Sequence, residues 1–195
     1  KLLSKMNVKS LKKLDDGKIS LFINDEESFI ADSVLIATGS MPGGYRLARN
    51  LGHSTTEIAP SLFTFKIKDA ILENLPGTSF SQAALTLKID GAKPFEEKGP
   101  LLITHWGLSG PALLKLSAWA AREMMHTNYK AKLIVNWLGI EHQEAADKLL
   151  NTIKNNNTKT SVGNAYPNDL TKRFWLQLLI KCGISKEKNW SEISK

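Results

Sequence analysis

The sequence predicts an α+β fold: a β-meander ending in one buried strand, then a β-rich region with one helix, then a helical region. Three observations predict it. Val34-Leu35-Ile36-Ala37 is continuously apolar, which suits a strand covered on both faces. Short alternating stretches bounded by Asp-Gly and Gly-Pro signals fill much of residues 8–30 and 55–105. From Gly139 onward the apolar spacing changes from two residues to three or four.

Composition agrees with this class. The chain has 195 residues, 42% hydrophobic and 23% charged, which excludes a disordered tail, a collagen-like rod and a disulfide framework. Cys182 is the one cysteine, so no internal disulfide can form and a reducing compartment is expected. No run approaches the roughly 18 apolar residues of a membrane span. The first thirteen residues carry five lysines and no apolar core, so no signal peptide is read there. The expectation is a cytoplasmic location and no membrane partner. A chain that starts at Lys1 reads as a piece of something longer.

The net charge is +7. Its surplus is +1 over residues 1–30, +3 over 31–138 and +3 over 139–195. The charge is spread, with no block of five like charges and no aromatic-basic motif, so no nucleic-acid partner is expected.

The elements follow in order. Residues 8–14 alternate weakly as a first strand. Asp15-Asp16-Gly17-Lys18 is a turn, residues 19–23 a second strand and residues 24–27 a second turn. Residues 28–32 lead into the apolar strand at 34–37. Residues 38–44 read as a loop, and a short helix fits 45–51, closed by Gly52. Residues 62–67 alternate, and so do 84–89, where Leu85, Leu87 and Ile89 share a face. Asp90-Gly91 turns the chain, and Lys98-Gly99-Pro100 breaks it before a strand at 101–104. This spacing suggests a small barrel or sandwich.

The clearest helix starts at Ser109, a candidate N-cap, with Pro111 in its first turn. Leu113, Leu116, Ala120 and Met124 form one apolar row, and Leu114, Ala118 and Ala121 a second, predicting a helix covered on most sides. Residues 132–138 return as a strand. Residues 141–154 read as an amphipathic helix and 155–158 as a polar loop. A last helix spans 169–182, with Asn168 as candidate N-cap and Gly183 as C-cap. Trp119, Trp137, Trp175 and Trp190 are assigned to the core, while Trp106 stands in a loop.

Two segments could carry chemistry. The apolar strand delivers Ala37, Thr38 and Gly39 to its carboxyl end, where open α/β sheets bind ligands and small residues let a ligand approach the backbone. The plain reading is a turn at Gly39. No G-x-G-x-x-G or G-K-[ST] motif accompanies it. In the second segment, residues 101–111, a strand turns through Gly107 and Gly110 into a helix. His105, Trp106 and Ser109 meet a helix N-terminus, whose free N–H groups favour an anion or polarised carbonyl. Gly107-x-Ser109-Gly110 only approximates a nucleophile elbow, and no acid is placed to orient His126 or His142. The plain readings are a capping Ser109 and a packed His105. His53, His105, His126 and His142 lack ligand spacing, so no metal is expected.

Taken together, VLIATGSMPGGYRLARNLGH (34–53), PSLFTFKI (60–67) and LLITHWGLSGPALLKLSAWAAR (101–122) resemble the HI0933-like family of NAD(P)/FAD-dependent oxidoreductases, also called the BaiN/RdsA or YhiN family. The resemblance implies a Rossmann-type FAD domain whose glycine fingerprint lies before Lys1. Residues 1–53 would belong to that domain, with Ala37, Thr38 and Gly39 near the cofactor. Residues 54–138 would be an inserted β-barrel-like domain with one helix, and 139–195 a helical subdomain. The implied activity is hydride transfer through flavin onto a small-molecule substrate, with NAD(P)H as a reductant. His105 is the candidate catalytic group, and Gly107, Ser109 and Gly110 form a candidate turn facing substrate or flavin. The piece alone is expected to be inactive and without bound FAD. The rival reading is a non-catalytic protein-interaction or ligand-binding module in which Ala-Thr-Gly is only a turn.

Overall fold

The computed structural model describes residues 2–24 and 26–194. The chain forms two compact units, Lys1–Ile58 and Ala59–Lys195.

The first unit holds an antiparallel meander of β1 (Val8–Lys13), β2 (Ile19–Ile23) and β3 (Glu26–Ala31), in that spatial order. Its first turn forms where Asp-Gly demands it. Gly17 takes φ +84°, and the Asp16 carboxylate accepts from the Lys18 N–H at 3.1 Å. Of the predicted second turn, Asn24 adopts φ +52°, Asp25 lies outside the described residues, and Glu26 already belongs to β3. Helix α1 (Pro42–Asn50) starts three residues before the predicted 45. Pro42 fits its first turn because a fixed φ and a missing N–H cost nothing there. The predicted end is present, with Gly52 at φ +87° donating to the Arg49 carbonyl.

The buried strand at residues 34–37 is a correction. That segment is irregular, with no ladder partner among the described residues, and Leu35 is 90% exposed. An apolar run is a demand for covering strands, and no described residue supplies one.

The second unit is built on an antiparallel sheet of β4 (Phe65–Lys66), β5 (Ser79–Lys88), β6 (Phe95–Thr104), β7 (Gly107–Ser109) and β8 (Lys132–Asn136). The spatial order is β4-β7-β6-β5-β8. Both edge strands line one cleft, so the sheet curls into a half-barrel. Asp90-Gly91 forms the predicted turn between β5 and β6, with Gly91 at φ +79°. The predicted break at Lys98-Gly99-Pro100 does not occur, because β6 runs through it. Phe80 pairs with Leu101 and Ala83 with Gly99, so Ser81 and Gln82 oppose Pro100 in a bulge. A bulge frees the ladder from needing the N–H that proline lacks. The predicted strand at 62–67 shortens to the two residues of β4, since Leu62 sits at φ +57°.

The predicted long helix is two, α2 (Pro111–Trp119) and α3 (Ala121–His126). Leu113, Leu116, Ala120 and Met124 are buried as the spacing required. The second row is not uniformly covered: Ala121 is buried, but Ala118 is exposed and Trp119 is 66% exposed, which removes Trp119 from the core. A helix lying on β6 buries one face only. Helices α4 (Gln143–Asn156) and α5 (Lys172–Lys181) complete the unit. Helix α4 absorbs half of the predicted polar loop and has no fully buried residue. Thr171, not Asn168, caps α5 by accepting the Phe174 N–H.

The core joins sheet and helix. Rings of Phe80 on β5, Trp137 just after β8 and Phe174 on α5 meet pairwise at 4.7–4.8 Å. Trp175 and Trp190 stack at 6.3 Å, and each indole N–H reaches a carbonyl, of Val162 and of Ala165.

Candidate functional site

The segment at 101–111 is a hairpin leading into a helix. Strands β6 and β7 pair Thr104 with Gly107, leaving His105 and Trp106 as the two-residue tip. Both tip side chains are exposed, Trp106 by 58%. His105 is therefore not a packed core histidine, and it has no hydrogen-bond partner among the described residues.

Both glycines of the segment are required by close approach. At Gly107, φ +149°, an added Cβ would collide with the Phe65 carbonyl of β4 and with the N–H of Ile67, the residue just after that strand. At Gly110, φ +112°, it would fall 2.8 Å from the Pro100 carbonyl oxygen. The strand edge and the helix start can come this near only without a side chain.

Ser109 is corrected as an N-cap. It is the last residue of β7, paired with Leu102, and Gly110 occupies the cap position with no side-chain bond. It is also no nucleophile elbow, because it lies within a strand and has no histidine hydrogen-bonded to it among the described residues. His126 and His142 sit on the last turn of α3 and at the cap of α4, both exposed.

The tip borders an open groove of about 770 Å³ lined by Thr104, His105 and Gly107 on one side and Lys68, Asp69 and Glu73 on the other. The Thr104 hydroxyl is buried with no hydrogen-bond partner among the described residues. Asp69 is held by two contacts. Its carboxylate accepts the Ile71 N–H at 3.0 Å, capping a 3-10 turn over Ala70–Leu72, and pairs with the Lys181 ammonium at 3.3 Å. These contacts hold its pKa below the ordinary carboxylate value, the Ile71 bond foremost. The groove thus presents an imidazole, an anion fixed in place and a flanking lysine, a set suited to orienting a polar ligand. Asp69 and Lys181 were not legible as a pair, because 112 residues separate them.

Ala37, Thr38 and Gly39 belong to the other unit and are all exposed. Gly39 adopts φ +59°, and nothing lies within 4 Å of where its Cβ would be. Among the described residues no group of three or more His, Cys, Asp or Glu side chains comes together to hold a metal. Among the same residues no helix is long and apolar enough to cross a membrane.

A curled sheet followed by two helices joined through turns defines a barrel-plus-helical class of domain. The family model described as "HI0933-like protein barrel and H2TH domain" matches residues 59–195, and the chain belongs to the HI0933-like family. It is 32% identical over 106 residues to the ribosomal RNA dihydrouridine synthase of Escherichia coli (strain K12), covering 50% of this chain and 26% of that protein. It is 26% identical over 136 residues to the 3-dehydro-bile acid delta(4,6)-reductase of Clostridium scindens, covering 66% of this chain and 33% of that protein. The chain thus spans about a quarter to a third of the length of these relatives, which are oxidoreductase-type enzymes by name.

Proposed function

We propose that this chain is part of a larger FAD-dependent oxidoreductase that passes a hydride to a small-molecule substrate. The observation that carries this reading is the state of residues 34–37. Four apolar residues lie without a ladder, Leu35 almost fully exposed, immediately before Thr38 and Gly39. Apolar side chains on both faces of one segment belong in a sheet covered on both faces. A Rossmann-type sheet that received this segment would place Ala37, Thr38 and Gly39 at its carboxyl end, the usual ligand crevice.

The residues present fit one wall of a flavin site. The open space around Gly39 and the small side chain of Ala37 leave backbone that a planar cofactor can approach. Bound flavin would supply the hydride chemistry, with NAD(P)H as its reductant. Ala37, Thr38 and Gly39 would hold it. The groove beside His105 would orient the substrate, with Asp69 and Lys68 setting its charge preference.

The names of the two relatives, a reductase and a dihydrouridine synthase, support redox chemistry. They differ in what they act on. The diffuse positive charge of this chain favours a small molecule over nucleic acid. The test is to purify the natural gene product that contains this sequence, record its visible spectrum and identify any cofactor released on denaturation. A yellow protein that releases FAD and oxidises NADH or NADPH is expected. A colourless product that takes up no flavin on reconstitution would overturn the reading.

A further inference from the structure

We infer that helix α5 sets the far wall of the groove beside His105, with Arg173 and Lys181 as positioning residues of that site. The inference rests on the reading of this groove as the place where substrate is oriented, and it adds what gives the groove its shape.

The far wall is an arch formed by residues 68–76. Both feet of the arch stand on the β6–β7 hairpin. The Ile67 N–H donates to the Trp106 carbonyl at 3.0 Å, and the Gly77 N–H donates to the Ile103 carbonyl at 2.9 Å. Ile103 and Trp106 flank Thr104 and His105, so the arch starts and ends beside the two residues it faces across the groove.

Within the arch the backbone bonds are short-range. Leu72 donates to the Asp69 carbonyl, Glu73 to that of Ala70 and Leu75 to that of Leu72. Single turns of this kind lack the cooperativity of a longer helix or a ladder. Ile71, Leu72 and Leu75 are buried and fix the inner side of the arch in the core. Lys68, Asp69, Glu73 and Asn74 line the groove and are exposed, so burial does not hold their side chains.

Helix α5 grips the arch at two points. Arg173 donates through Nη2 to the Asn74 carbonyl, and the Lys181 ammonium reaches both carboxylate oxygens of Asp69 at 3.3 Å. Arg173 stands near the start of α5 and Lys181 at its end, so the arch runs antiparallel to the helix. The two grips are about 12 Å apart along the helix axis. Asn74 adopts φ +60°, which asparagine tolerates, and Arg173 fixes the carbonyl at that bend. The helix is itself anchored one residue further on. The Phe174 ring meets Phe80 at 4.8 Å and Trp137 at 4.7 Å, and the Trp175 indole N–H donates to the Val162 carbonyl at 2.7 Å. Exposed polar contacts contribute little to global stability. Their consequence here is where the wall stands, and with it the charges of Lys68, Asp69 and Glu73 opposite His105.

The test uses amide hydrogen exchange and histidine ring signals, both read by nuclear magnetic resonance on the 195-residue chain. Arg173→Met should speed exchange at the Glu73 and Leu75 N–H groups about tenfold, and leave Leu85 and Leu87 on β5 unchanged. The His105 ring Cε1–H signal should move, while those of His53, His126 and His142 stay. Arg173→Lys keeps the charge and a donor, so it should restore most of both effects. Adding Lys181→Met to Arg173→Met should enlarge them. Both positions are exposed, so the variants are expected to fold, and the β5 amides check this. Unchanged exchange at Glu73 and Leu75 would overturn the grip. Faster exchange with an unmoved His105 signal would show that α5 merely steadies the arch, and would overturn the positioning role. Neither measurement needs flavin or substrate, so their outcome is separate from that of the flavin reading.

Discussion

The Phe63 N–H donates to the Ser117 hydroxyl at 3.1 Å, and that hydroxyl donates to the Leu114 carbonyl at 2.7 Å. Ser117 is fully buried, so the pair ties the chain entering β4 to the interior of α2. Ser117→Ala strands the Phe63 N–H and should cost about 1–3 kcal/mol. Ser109→Ala should stay within about 0.5 kcal/mol, since its hydroxyl caps no helix. Urea unfolding of both variants measures the contrast, and equal effects would refute it.

Adjacent glycines in α1 should respond with opposite signs. Gly43 has ordinary helical φ and open space where a Cβ would go, so Gly43→Ala should stabilise by about 0.4–1 kcal/mol by restricting the unfolded chain. At Gly44 the same methyl would overlap the Thr38 side chain. Gly44→Ala should destabilise by about 1–3 kcal/mol through overpacking. It should also displace Thr38, a candidate cofactor contact. Thermal unfolding of the two variants reports the signs.

What could be read from sequence was local. Asp16-Gly17 and Asp90-Gly91 announce turns because their backbone chemistry decides the matter alone. Gly107 and Gly110 were visible for the same reason, although the strand that forbids a side chain at Gly107 lies forty residues earlier. Residues 34–37 misled because an apolar run records what a strand requires, not whether its neighbours are at hand. Pro100 misled because a bulge on the facing strand, at Ser81 and Gln82, removes the hydrogen bond that proline cannot make. Trp119 misled because its helix buries one face and the indole falls on the other. Asp69 with Lys181, and Asn74 with Arg173, are products of topology, and no local pattern could join them.

One surface pairing is unfavourable as it stands. Lys132 on β8 is the register partner of Lys88 on β5, and both are exposed. Like charges directly opposite across an antiparallel pair repel. Lys132→Glu should therefore stabilise by about 0.2–1 kcal/mol, with the gain falling as salt screens the new pair. Unfolding midpoints at low and high ionic strength test this, and a salt-independent change would point to another cause.

The acid limb of stability should carry the signature of Asp69. Its folded pKa is lowered, first by the Ile71 N–H bond and then by Lys181, with partial burial opposing. A carboxylate with a depressed folded pKa contributes its full stabilisation above its unfolded value, about 3.9. The contribution is lost as pH falls through the lower folded value. Asp69→Asn keeps an acceptor for Ile71 but removes the charge, so its deficit in melting temperature should be constant near neutral pH. That deficit should shrink below about pH 4 and vanish in stronger acid. Lys181→Met should reproduce only the smaller share, because the backbone bond is the larger cause and the ion pair is partly exposed and screened. Melting temperatures of the three proteins across the acid range decide it. A deficit for Asp69→Asn that grows as pH falls would show that the carboxylate is not stabilised in its ionised form.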